Sequence, residues 1–224
     1  MARLANVSTT LLRNVPLFAG LDEAQLSVLV RMIVRKNFGR NAKIIGAGDP
    51  TDSLYIIIDG RVKVSMSDEQ GREVILSILG RGEFFGEMGL LDDSPRSASV
   101  LTLEPCELLS ISKADFKRSL AENFDLSLMV MRGLVKRLRE ADRKIGSLAL
   151  MDVYGRVARL LLEMADDVEG EKVVVKKLSK QDIAKMIGAS REMVSRVMKD
   201  LQLGGYIEIR GRSIVLRNDI LLAE

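Results

Sequence analysis

Residues Arg61 to Met66 alternate polar and apolar, the two-residue period of a half-buried strand. Just before them, Leu54 to Ile58 is apolar on both faces, which predicts a buried strand. Asp59-Gly60 joins the two runs. Both residues tolerate positive φ, so the pair predicts a tight hairpin. Further turn signals lie at Gly46 to Asp49, Asp68 to Gly71, Gly80 to Gly82 and Asp92 to Pro95, and they recur every ten to twelve residues. That spacing predicts short antiparallel strands in a sandwich or jelly-roll barrel. Ahead of the strands, Asp22 with Gln25 three residues on predicts a capping box for a helix from Glu23 to Ile33.

The pattern then changes period. All four prolines precede residue 106, so nothing later forbids long helix. From Phe124 to Met151 the apolar positions Met131, Leu134, Leu138, Ala141, Ile145 and Leu148 step by 3, 4, 3, 4, 3. This is the seam of a coiled coil. Such residues would also be apolar in a helix lying on the strands. The stripe is narrow, however, and flanked by Arg132, Lys136, Arg139, Arg143 and Lys144, which fits self-pairing in a parallel homodimer.

The last seventy residues read as a separate unit, preceded by an acidic loop with Glu163, Asp166, Asp167, Glu169 and Glu171. Ser179 is placed to cap a helix that buries Ile183, Ala184 and Ile187. Gly188 supplies a left-handed turn, and Ser190 caps a second helix that buries Val194, Val197 and Leu201. Ala184 is small where the two helices would cross. This is the grammar of a helix-turn-helix. Arg191, Glu192, Ser195 and Arg196 fall on the outward side of the second helix, where arginine can read guanine and glutamate can read cytosine. Lys180, Gln181 and Lys199, with the helix starts at Ser179 and Ser190, suit phosphate contacts. Tyr206 to Val215 reads as a wing, a hairpin with a basic tip at Arg210 to Arg212.

Charge sharpens that picture. The net +3 is uninformative as a whole, but Lys172 to Arg217 holds eleven Lys and Arg against four Asp and Glu. A basic surface alone can be merely solvated; combined with the helix-turn-helix it points to nucleic acid. Composition excludes much else. With no histidine, Ser-His-Asp and Cys-His catalysis, histidine-ligated haem and most zinc sites are ruled out. The single Cys106 rules out an intrachain disulfide and a four-thiolate cluster, and its setting predicts a core strand residue. No Walker-type phosphate loop is present, so a non-enzyme is expected. No apolar run suits a membrane span, and Met1 to Ser8 lacks the apolar core of a signal peptide, so a cytoplasmic protein is expected.

One stretch remains, Phe84 to Val100. Gly86 allows close backbone approach, and Glu87 to Leu91 can form one helical turn. Arg96 and Ser97 offer a guanidinium fork and a hydroxyl suited to phosphate. A simple Glu–Arg ion pair in a loop would use the same residues.

The Gly86-Glu87 and Arg96-Ser97 pairs, the strand pattern, the long helix, Leu148 to Val153 and Ser190 to Arg196 together resemble the cyclic-AMP receptor protein and FNR family of bacterial transcription regulators. The resemblance runs from about Leu12 to Leu216. It implies an α+β fold: an N-terminal cyclic-nucleotide-binding β jelly-roll barrel (1–123), a long coiled-coil dimerisation helix and hinge (124–152), and a C-terminal winged helix-turn-helix (153–224). It implies that Gly86, Arg96 and Ser97 hold a cyclic phosphate, with Met88 beside them, and that Glu87 accepts the ribose hydroxyl. Arg191, Glu192 and Arg196 occupy base-reading positions, implying GTGA-like half-sites in an inverted repeat of double-stranded DNA. RNA polymerase is an expected partner, and no cofactor beyond the effector is expected. Where the cyclic-AMP receptor contacts adenine through a Thr-Ser pair, this chain has Ala141 and Asp142. A carboxylate can accept two bonds from a guanine edge, which adds cyclic GMP and cyclic di-GMP to cyclic AMP as candidate effectors. Asp142 could equally pair with Arg139 or Arg143.

Overall fold

The computed structural model describes residues 7–175, 178–211 and 213–217. Two compact units divide the chain, Met1–Arg137 and Leu138–Glu224.

The first unit begins with α1 (Thr9–Arg13), a short 3-10 turn and α2 (Glu23–Met32). The capping box of α2 is formed as expected: Gln25 N donates to Asp22 Oδ1 at 2.8 Å, and Asp22 N donates to Gln25 Oε1 at 2.8 Å. Eight strands follow: β1 (Ile33–Phe38), β2 (Lys43–Ile45), β3 (Ser53–Asp59), β4 (Val62–Ser67), β5 (Glu73–Leu79), β6 (Phe84–Phe85), β7 (Ser99–Thr102) and β8 (Cys106–Ser112). The turn α3 (Met88–Leu91) falls between β6 and β7, and α4 (Lys113–Glu122) follows β8. The strands form two open antiparallel sheets, β1-β8-β3-β6 and β2-β7-β4-β5, so the expected barrel is a two-sheet sandwich that does not close.

The double-sided apolarity of β3 follows from its position. Tyr55 and Ile57 join Val62, Phe85, Val100 and Leu108 in one buried cluster. Leu54 and Ile56 point the other way and join Leu12, Phe18, Leu26, Phe116 and Leu126 from the helices. Cys106 is buried at the start of β8, as expected, and burial raises its thiol pKa.

The Asp59-Gly60 hairpin is corrected. β3 and β4 lie in different sheets and do not pair. Gly60 turns a corner between them at φ +86, where an added Cβ would stand 2.5 Å from the Pro105 carbonyl and 2.6 Å from Cys106 Sγ. Positive φ is needed at a corner as at a hairpin, so the local chemistry is the same for both. The paired hairpin is the next one, β4–β5, where Asp68 Oδ1 accepts from Gln70 N and Arg72 N at 3.0 and 2.9 Å.

Helix α5 runs from Phe124 to Leu150, within one residue of expectation. Its first turns bury Leu126 and Val130 in the first unit. Gly133 then meets Phe84 so closely that an added Cβ would stand 2.7 Å from the ring.

The second unit comprises the end of α5, α6 (Val153–Met164), α7 (Lys180–Ile187), α8 (Arg191–Leu203) and the sheet β11-β12-β10-β9, formed by β9 (Asp166–Val168), β10 (Glu171–Val174), β11 (Ile207–Arg210) and β12 (Ser213–Leu216). Asp152 caps α6 through Gly155 N at 2.8 Å. The expected acidic loop is instead the end of α6 and the antiparallel β9–β10 hairpin. α7 and α8 start and stop as expected: Ser179 and Ser190 cap through Asp182 N and Met193 N at 3.1 Å, and Gly188 adopts φ +63. Val194, Val197 and Leu201 are buried against Val157, Leu161, Ile183 and Ile187. Each such side chain contributes about 1.5–3 kcal/mol. Among the described residues no helix is long and apolar enough to cross a membrane.

Candidate effector pocket and nucleic-acid interface

The bend after β6 brings together five of the seven expected effector residues. Gly86 has φ +86, and an added Cβ would stand 2.5 Å from Arg96 Nη1. Two constraints, backbone conformation and crowding, thus demand glycine there. Arg96 is only 6% exposed. Its Nη1 donates to the Gly86 carbonyl at 2.8 Å, and its Nη2 donates to the Ser53 carbonyl at 2.7 Å and to Asp52 Oδ1 at 3.0 Å. The guanidinium is therefore held from below by backbone, and it engages an aspartate that sequence reasoning did not single out. Ser97 is exposed and its hydroxyl donates to Met88 Sδ at 3.8 Å.

Glu87 is more unusual. It is 1% exposed, and its Oε2 is buried without a hydrogen-bond partner among the described residues. Its Oε1 accepts from Arg137 on α5, which also donates to the Phe84 carbonyl and lies over the Phe84 ring, 4.9 Å from its centroid. The simple Glu87–Arg96 ion pair is not formed: Glu87 pairs with Arg137, and Arg96 with Asp52. Buried polar groups nearly always have partners, so an orphan carboxylate oxygen marks a place for a donor from outside. Arg137 was missed because heptad reading divides the helix into seam and flank. Gly133 was the available signal: a mid-helix glycine costs about 1 kcal/mol against alanine and so marks a close approach.

The Asp93 loop is pinned to α4. Asp93 Oδ1 accepts from Lys113 Nζ at 2.7 Å and Lys117 Nζ at 2.8 Å, and these bonds lower its carboxyl pKa to about 2. Ala141 and Asp142 lie on the part of α5 that belongs to the second unit. The Asp142 carboxylate is exposed and makes no hydrogen bond or ion pair among the described residues, with Arg139, Arg143 or any other.

In the second unit α8 presents Arg191, Glu192, Arg196 and Lys199 exposed, and Ser195 half-buried, on the side away from its core. The Arg191, Glu192, Arg196, Lys199 and Gln181 side chains are unpaired among the described residues. Lys180 is exposed at the start of α7, but its Nζ donates to Ser195 Oγ at 2.8 Å, tying the first helix to the second. The wing hairpin forms as expected, β11 lying antiparallel to β12, but the charge at Arg210 is engaged rather than free. Arg210 is held by Glu208 Oε1 at 2.8 Å and Glu171 Oε2 at 2.6 Å, and Arg217 bonds both glutamates. These bonds lower the Glu208 pKa and raise that of Arg210. Arg212 of the expected basic tip, with Lys176 and Lys177 of the basic count, lies outside the described residues.

A two-sheet sandwich, a long helix and a helix-turn-helix followed by a β-hairpin together make the architecture of a DNA-binding transcription regulator. Residues 35–123 match the cyclic nucleotide-binding domain and residues 155–223 match the Crp-like helix-turn-helix domain. The chain is 31% identical over 217 residues to a CRP-like cAMP-activated global transcriptional regulator of Mycobacterium tuberculosis, covering 95% of this chain and 97% of that one. It is 37% identical over 180 residues to the cAMP-activated global transcriptional regulator CRP of Haemophilus influenzae, covering 77% and 79%. Its structure is similar to that of the c-di-GMP responsive global regulator CLP of Xanthomonas campestris, with TM-score 0.75 at 31% identity, covering 88% of this chain and all of that one. The chain belongs to the CRP/FNR family of transcription regulators. It is a DNA-binding regulator with a cyclic-nucleotide domain.

Proposed function

We propose that this protein is a homodimer whose grip on DNA is controlled by a cyclic nucleotide bound at the Gly86–Ser97 bend. The observation that carries the reading is the orphan Oε2 of Glu87, a buried acceptor that no donor among the described residues satisfies. A ribose hydroxyl is a donor of the right kind. Arg96, Ser97 and the Gly86 amide take the cyclic phosphate, and Met88 lines the opening. The relatives named as cAMP-activated, and the neighbour named as c-di-GMP responsive, support the ligand class.

Dimerisation rests on the seam of α5. Met131, Leu138, Ile145 and Leu148 are large and apolar, yet about half or more of each is exposed in a lone protomer (47, 62, 64 and 54%). A second copy covers them. Two reading helices about 34 Å apart then engage successive major grooves of an inverted repeat with GTGA-like half-sites. Arg191, Glu192, Ser195 and Arg196 read bases. Ser179, Lys180, Gln181, Ser190 and Lys199 hold phosphates, with Lys180 releasing Ser195 to do so. RNA polymerase is the further partner, and the cytoplasm the place of action. The effector acts by favouring the arrangement in which both reading helices fit, so its leverage equals its differential affinity for the two states.

Asp142 favours a second reading of ligand identity. It is exposed and unpaired, where the cyclic-AMP receptor has a base-contacting hydroxyl, so a guanine-containing effector competes with cyclic AMP. The alternative of a constitutive DNA-binding regulator leaves Glu87 Oε2 without a role. The deciding experiment measures binding to a GTGA-type palindrome with and without cyclic AMP, cyclic GMP and cyclic di-GMP. At least one nucleotide should change the affinity. Indifference to all three would leave the constitutive regulator as the answer.

A further inference from the structure

The surroundings of Arg96 raise a question of access. A guanidinium has five N–H donors, and both of its two-toothed edges, Nε with Nη2 and Nη1 with Nη2, share Nη2. Here Nη2 is fully engaged: one bond goes to the Ser53 carbonyl at 2.7 Å and one to Asp52 Oδ1 at 3.0 Å. Neither edge is therefore open to a bidentate phosphate. One of the two partners has to leave.

They are not equally free to do so. The Ser53 carbonyl is part of β3. The Asp52 backbone is also fixed, because its carbonyl accepts from Lys113 N at 2.8 Å. The Asp52 side chain, by contrast, is 77% exposed, while that of Arg96 is 4% exposed. The carboxylate can swing into water at little cost; the guanidinium cannot follow it.

We propose that Asp52 is an internal counter-anion of Arg96 that the ligand's phosphate displaces, so that Asp52 sets the ligand concentration at which the pocket fills. This rests on the reading of Arg96 as the phosphate ligand. The exchange is charge-conserving: one carboxylate leaves the buried cation and one phosphodiester, also singly charged, takes its place. The empty pocket never holds a bare buried charge, which would be costly. The filled pocket keeps the two backbone carbonyls that aim the guanidinium.

The test uses the full-length protein and inorganic phosphate as probe, with the Arg96 Nε–H resonance as readout. Calorimetry with cyclic AMP, cyclic GMP and cyclic di-GMP runs beside it. Asp52→Asn keeps the shape and removes the charge. Its phosphate half-saturation at Arg96 should fall about 1.5- to 5-fold, the size of a mostly exposed ion pair. Asp52→Ser should move the same way, and Asp52→Glu should return it toward the wild-type value. Unchanged or weaker phosphate binding in Asp52→Asn, or no response at Arg96 in either protein, overturns the proposal. A shift at Arg96 as expected, with no uptake of any of the three nucleotides, would sink the effector reading and leave the displacement of Asp52 standing.

Discussion

Replacing Arg137 by methionine tests the electrostatics around the buried Glu87. Glu87 is 1% exposed and Arg137 is its one ion-pair partner among the described residues. The change removes two charge-assisted bonds, to Glu87 Oε1 and to the Phe84 carbonyl, and the cation over the Phe84 ring. Such bonds contribute about 1.5–3 kcal/mol each, the ring contact about 0.5–1 kcal/mol. The Arg137 side chain is 30% exposed, so water replaces part of this. The expected loss is about 2–4 kcal/mol, most of it from leaving a buried carboxylate without a counter-charge. The double variant Glu87→Gln, Arg137→Met removes that charge and should recover at least half of the loss. Urea unfolding read by hydrogen exchange of the β3 and β8 amides confines the measurement to the first unit. A single variant that loses under about 0.5 kcal/mol, or a double variant no better than the single, would refute the reasoning.

Gly133→Ala should destabilise the first unit even though alanine is the better helix former by about 1 kcal/mol, because the added methyl meets Phe84; thermal denaturation gives the sign. The lysine bonds hold the Asp93 pKa near 2 in the folded chain, against 3.8 ordinarily. Their stabilisation is present above pH 3.8 and disappears as pH falls toward 2, so Asp93→Asn should flatten the acid side of a melting-temperature profile in that window. Arg191→Ala should weaken specific DNA by about 1–3 kcal/mol and relax one base position. Lys180→Ala should weaken all sequences alike and flatten the salt dependence; equal losses on specific and random DNA for Arg191→Ala would contradict its role as a reader.

The reading unit was the most legible part of the chain. Ser179, Gly188 and Ser190 each act through a local bond or a single backbone conformation, and local chemistry is what spacing records. The same holds for the Asp22–Gln25 box. Asp59-Gly60 was misread because its local requirement, positive φ, does not say which strands the turn connects. That depends on sheet order, a long-range property. The pocket was half legible. Gly86, Glu87, Arg96 and Ser97 are close in sequence and stood out, whereas Asp52, just before β3, and Arg137, on α5, meet them only through the fold. The paired state of Arg210 was hidden for the same reason: Glu171 is thirty-nine residues away in the chain.

The junction after α5 bears on how the reading unit can be handled as a part. A side chain at Gly188, in the turn of the helix-turn-helix, would touch Leu148, and Arg156 donates both to the Asp152 carbonyl and to that of Ile187. A fragment cut at the Asp152 cap would strip Leu148 from that turn, whereas one begun at Leu138 keeps the contact. Anyone grafting this module onto another sensor should therefore carry the last three turns of the rod along with it.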